Sequence, residues 1–134
     1  MALAYERLDV YRYATEHLAL AVRVTGGSQR PPAFLVDQYR RAALSIPLNI
    51  AEAVGKNSSD DQKRFFAIAR GSAMECGAIL DAAAVLGVVD DFTLSKGKEL
   101  LEHIVRILSV LCFRGRRPAA RGSAGTQGRR RGRG

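Results

Sequence analysis

The chain has 134 residues, 47% of them apolar and 25% charged, which leaves room for one domain with a real core. Its net charge of +8 sits at one end: all 13 acidic residues and 13 of the 21 basic ones lie in residues 1–113, while residues 114–134 carry eight arginines and no acid. That distribution excludes a strongly basic folded part, and two cysteines far apart in apolar helical patterns, Cys76 and Cys112, exclude a disulfide framework.

A first helix is predicted over residues 8–25. Tyr11, Ala14, Leu18, Ala21 and Val22 recur at three and four residues, and Asp9, Arg12, Glu16 and Arg23 take the other side. Gly26 and Gly27 stop it, and GGSQRPP makes a tight connector in which Pro32 suits the first turn of the next helix.

The second helix, residues 33–56, carries Tyr39, Ala42, Ala43, Ile46, Ile50, Ala53 and Val54 on one side. Pro47 interrupts this pattern. A proline inside a helix removes a backbone bond and costs about 3 kcal/mol, so either a kink near Ser45–Ile46 or two shorter helices is expected.

A third helix starts at Ser59, which with Gln62 fits a capping box, and Asp60 and Asp61 suit the helix dipole in its first turn. It is expected to end at Gly87. Gly71 and Gly77 imply a close neighbour, and Phe65, Phe66, Ile68, Ile79, Leu80 and Leu86 supply the bulk. The fourth helix starts near Asp91 or Thr93, ends at Phe113, and carries Leu94, Leu101, Ile104, Val105, Leu108, Leu111 and Cys112 on its apolar face. No strand pattern competes. Four amphipathic helices with short connections predict an all-α fold, an antiparallel up-and-down four-helix bundle over residues 1–113. Residues 114–134 hold no aromatic and no aliphatic side chain larger than alanine, so a disordered Arg/Gly-rich tail is expected.

No membrane or secretory signal is visible. The longest uncharged apolar run, residues 82–89, is far short of the roughly 20 residues a spanning helix needs. Glu6, Arg7, Asp9 and Arg12 stand where a signal peptide would be apolar. A cytoplasmic protein with reduced thiols is expected.

Catalytic patterns fail one by one. His17 and His103 have no metal spacing to a cysteine or to each other, and a solvated or half-buried helical position is expected for both. Gly55-Lys56 lacks the earlier glycine and the following Ser/Thr of a phosphate-binding loop. There is no G-x-S-x-G, and Cys76 has no visible activating base, so burial should raise its pKa. The expectation is a protein that is not an enzyme, with no catalytic residue, no metal site and no cofactor.

The polar residues of the second helix are more informative. Arg41, Ser45, Asn49 and Glu52 are spaced by four, four and three residues, which aligns them in one stripe, and Arg70 and Glu75 of the third helix are placed to face it. Two readings stand: a solvated face with i,i+4 pairs, or a polar network of Arg41, Ser45, Asn49, Glu52 and Glu75 inside a helix or subunit interface.

Residues 38–87 contain Arg40-Arg41-Ala42-Ala43, then Ser45-Ile46-Pro47, then Asn49-Ile50-Ala51-Glu52, followed by a helix with Phe65 and Phe66, Ala69-Arg70-Gly71-Ser72 and Glu75; Leu8-Asp9-Val10-Tyr11 with Ala14 precede them. This pattern resembles the bacterial four-helix bundle family also called 23S ribosomal RNA intervening-sequence proteins, over residues 5–113. The chain departs from it at Ala53, where the family usually has glycine, and in the tail. The resemblance implies an antiparallel bundle that self-associates, as a ring-like pentamer, without established catalysis. Relatives in diversity-generating retroelements bind a reverse transcriptase and nucleic acid, so the resemblance also implies an RNA-associated adaptor.

Two functions follow. In one, a homo-oligomeric adaptor binds RNA or DNA through Arg114, Arg116, Arg117, Arg121, Arg129, Arg130, Arg131 and Arg133, with Arg40, Arg64 and Arg70 as secondary basic positions. In the other, the bundle is a structural or protein-interaction module with no nucleic-acid role.

Overall fold

The computed structural model describes residues 2–27 and 31–113. A 3-10 turn, Ala4–Arg7, leads into α1, Asp9–Gly26; α2, Ala33–Val54, α3, Ser59–Val85, and α4, Asp91–Phe113, follow. Each helix packs on its chain neighbours and α4 closes onto α1, so the four stand in a square in chain order. This is an all-α four-helix bundle, with no strand among the described residues. The tail, residues 114–134, and the connector positions 28–30 lie outside the described residues.

Short-range chemistry sets the helix ends. Ser58, not Ser59, caps α3: its Oγ accepts from the Asp61 backbone N–H at 3.1 Å. The cap therefore lies one residue before the expected one, and Gln62 donates to the Lys56 carbonyl at 3.2 Å. Asp90 caps α4 by accepting from the Thr93 N–H at 2.7 Å. At the end of α3, Gly87 takes φ 72°, and Val88 N–H reaches back to the Ala83 carbonyl at 3.0 Å. Glycine suits that left-handed position because it has no Cβ to clash.

Pro47 does not divide α2, which is one helix of 22 residues with the proline buried inside it. The two-helix alternative is excluded. Packing explains this: Ala43, Ile46, Ile50 and Ala53 are all fully enclosed around the proline, enough apolar burial to offset one missing backbone bond. The Ala53 methyl is accommodated with no exposure at all.

Ile46 and Ile50 of α2 meet Phe66, Ala69 and Ala73 of α3 and Ile104 and Leu108 of α4 in one core. Three expectations about that core need correction. The buried stripe of α1 is rotated from the predicted one: Val10, Ala14, His17, Leu20, Ala21 and Thr25 face inward and Val22 faces out. Ile68 of α3 and Leu86, the residue that follows that helix, are exposed. Gly71 and Gly77 are not close-approach points either, because a Cβ on either would meet nothing within 4 Å. The close approach is at Gly97 of α4, where a Cβ would lie 2.7 Å from Leu80 Cδ1 and 3.4 Å from Leu20 Cδ2.

Candidate functional site

The polar stripe of α2 is split among several partners. Ser45 Oγ and Ser72 Oγ lie 2.8 Å apart across the α2–α3 seam, and Asn49 Nδ2 donates to the Ser45 carbonyl at 2.8 Å and its hydroxyl at 3.0 Å. Asn49 thereby adds a side-chain donor to a carbonyl one turn back in its own helix. Glu75 also faces α2, where Gln38 Nε2 donates to its carboxylate. Glu52 instead pairs with Lys56 one turn on, at 3.0 Å. Arg41 is exposed and makes no ion pair among the described residues. The structure thus joins Ser45 and Asn49 with Ser72, and leaves Arg41, Glu52 and Glu75 outside that group.

The secondary basic positions do not converge. Arg40 Nε donates to Thr25 Oγ1 at 2.7 Å, tying α2 to the end of α1. Arg64 stays within its own turn, 3.7 Å from Asp61 and over the Phe65 ring at 4.5 Å, with Lys56 on the same ring at 4.9 Å. Arg70 turns away from α2: its Nε donates to Ser109 Oγ of α4 at 2.7 Å and its guanidinium stands 5.3 Å from the Phe113 ring centre. Arg40 on the α1–α2 seam, Arg70 on the α3–α4 seam and Arg64 within its own turn each have a local partner and are not brought together.

The residue pattern around these contacts decides the family. The chain matches the profile of 23S rRNA-intervening sequence proteins over residues 6–110. It belongs to that family. No curated protein matches the chain. In this 23S rRNA-intervening sequence protein, the arginines that carry the net charge, Arg114, Arg116, Arg117, Arg121, Arg129, Arg130, Arg131 and Arg133, lie outside the described residues.

Sequence reasoning missed the most enclosed polar group. His17 is fully buried, against the expectation of a solvated or half-buried position. It sits one turn from Ala14 and Ala21 on the inner stripe, and Tyr39 of α2 supplies its partner: Nε2 and the phenol oxygen are 2.9 Å apart. Its Nδ1 has no partner among the described residues. Burial lowers the imidazole pKa to about 4, so the ring is neutral at neutral pH. Burial likewise raises the Tyr39 phenol, with Cys76 adding to the effect. The Cys76 thiol is pushed up to about 12 by burial and then by Glu75. A buried thiol held protonated in this way offers no thiolate nucleophile. His103 is half-buried and stacks on Tyr13 at 4.8 Å, bridging α4 and α1. No group of His, Cys, Asp and Glu among the described residues is arranged to hold a metal ion, and no described helix is long and apolar enough to cross a membrane.

A groove of about 670 Å³ runs between α3 and α4, floored by Ala73, Gly77, Ala78, Leu101 and Val105 and rimmed by Asp81, Lys98, Glu99 and Glu102. Lys98 Nζ closes on Asp81 at 2.6 Å.

Proposed function

We propose that this family member is a non-enzymatic, homo-oligomeric adaptor that associates with RNA or DNA through its arginine tail. The observation that carries the reading is the segregation of charge: residues 1–113 balance to zero and residues 114–134 hold eight arginines without an acid. Such a segment neutralises phosphates without reading sequence, and its affinity falls as salt rises. Copies assembled together would present several tails to one nucleic acid and gain avidity. Membership of the 23S rRNA-intervening sequence protein family supports an RNA context.

Self-association is supported by apolar side chains left in solvent on the α2–α3 face. Leu44 and Leu48 of α2 and Ile68 of α3 are 46%, 58% and 42% exposed. In the antiparallel pair, Leu48 and Ile68 lie about one turn beyond the Ser45–Ser72 contact, so the three form a patch of the kind that marks an interaction surface.

A second reading, a protein-interaction bundle with no nucleic-acid role, draws on a different observation. Phe34, Val85, Leu86 and Phe92 are all exposed. They gather at the end of the bundle where α2 and α4 begin and α3 ends, opposite the end from which the tail departs.

The test compares the full chain with a chain ending at Phe113 for binding to a single-stranded RNA, with mass measured by light scattering. The reading requires binding by the full chain alone and a mass above that of one chain.

A further inference from the structure

We propose that the α3–α4 groove is the docking site of the chain's own arginine tail, so that groove carboxylates and nucleic-acid phosphates compete for the same guanidinium groups. This deepens the reading above, on which it rests for the competition but not for the docking itself.

The path of the chain leads to the groove. The last residue of α4, Phe113, lies against Arg70 of α3, whose Nε is fastened to Ser109 one turn earlier. The C-terminal end of α4 thus lies against α3. From there, Arg70, Met74, Gly77 and Asp81 descend one face of α3 at helical spacing, and Ser109, Val105, Glu102 and Lys98 descend the facing side of α4. The groove is the continuation of the seam at whose top the tail begins.

Its charge suits the tail. Among its lining residues three are acidic and one is basic, and that one, Lys98, is held by Asp81 across the groove. Glu99 and Glu102 are exposed and form no ion pair among the described residues. Residues three apart on a helix are neighbours, so the two carboxylates form one acidic step on the rim. Of the cations at neighbouring helical positions, Lys98 is held by Asp81, and Lys96 and Arg106 stand one turn to either side, before Glu99 and beyond Glu102.

Shape suits it too. The tail brings no large apolar side chain: its arginines are separated by glycines, Pro118, alanines and small polar residues. A floor of alanine and glycine lets a backbone approach closely, and arginine stems lie along apolar surface while their forks take carboxylates. A helical partner with large anchors would need deeper pockets.

Length closes the argument. Glu102 lies 11 residues before Phe113, about 16 Å back along the helix at 1.5 Å per residue. An extended chain advances about 3.3 Å per residue, so Arg116 and Arg117 lie about 10–13 Å along it and need their long side chains to meet Glu102, while Arg121, about 26 Å along, spans the roughly 21 Å back to Glu99.

The test uses the full chain with Ser123→Cys carrying a nitroxide spin label. Cys76 and Cys112 are buried, which leaves the introduced thiol to take the label. At about 50 mM salt the account predicts paramagnetic broadening of the Gly77, Ala78, Lys98 and Glu102 amides. It predicts loss of that broadening at about 1 M salt, where exposed charges are screened, and in Glu99→Gln/Glu102→Gln, which leaves the fold intact because both side chains are exposed. In the same double variant, affinity for a single-stranded RNA should rise about threefold to tenfold, the worth of two exposed ion pairs. Broadening that is absent, spread evenly over the bundle, unchanged in the double variant, or seen only between separately labelled chains would overturn the proposal. RNA binding that fails while groove broadening persists would overturn the tail's nucleic-acid role and leave the docking standing.

Discussion

His17 of α1 and Tyr39 of α2 share a 2.9 Å hydrogen bond inside the bundle, the rings meeting edge to face with centroids 5.5 Å apart. Both residues come from helices whose inward stripes are otherwise apolar or small. The pair joins α1 to α2 by a directional contact, where packing alone would tolerate sliding.

That burial makes stability depend on pH. The folded imidazole titrates near 4 and the unfolded one near 6.5. Between those values the unfolded chain binds more protons, so stability is fully present above about pH 6.5 and is lost as pH falls toward 4. The loss amounts to about 3 kcal/mol. Urea unfolding at a series of pH values measures it, and His17→Leu should remove this part of the slope.

Tyr39→Phe keeps the ring and deletes the hydroxyl, leaving both imidazole nitrogens without a partner. A destabilisation of about 1–3 kcal/mol is expected. Calorimetric melting of the variant beside the parent chain measures it directly.

The glycines should divide by environment. Gly97→Ala places a Cβ against the buried Leu80, and an overpacked core site loses about 1–3 kcal/mol. Gly71→Ala meets nothing and should gain about 0.5–1 kcal/mol from helix propensity. Equal effects of the two substitutions in denaturant titrations would contradict the packing described.

At the start of α3, Ser58→Ala should cost about 1 kcal/mol and Ser59→Ala close to nothing, because the cap is made by Ser58. Thermal melts of the two variants separate these outcomes.

Much of the fold was legible because the helix signals are local. The signals at Gly26-Gly27, Ser59 with Asp60 and Asp61, Gly87, and Asp91 or Thr93 each act within about a turn of themselves, and the four helices start and end within about two residues of where those signals place them. What escaped notice depends on partners distant in sequence. His17 reads as polar until Tyr39, 22 residues on, encloses it. Arg70 reads as facing the α2 stripe until Ser109 draws it to α4. Gly71 and Gly77 read as contact points by composition, whereas the contact is made at Gly97, a position set by how α4 crosses Leu80 and Leu20. The split of the polar stripe was invisible for the same reason: spacing aligns Arg41 with Ser45, but only α3 chooses which of them to engage.

The most direct test of the proposed role is the salt dependence of RNA affinity. For the full chain, log K against log salt should be linear, with a slope approaching −0.7 per engaged arginine for a single strand, so about −5 to −6 when all eight tail arginines are engaged. The chain ending at Phe113 should bind weakly with a slope near zero. An equal slope and affinity for both chains would place the contact on the bundle and contradict the account.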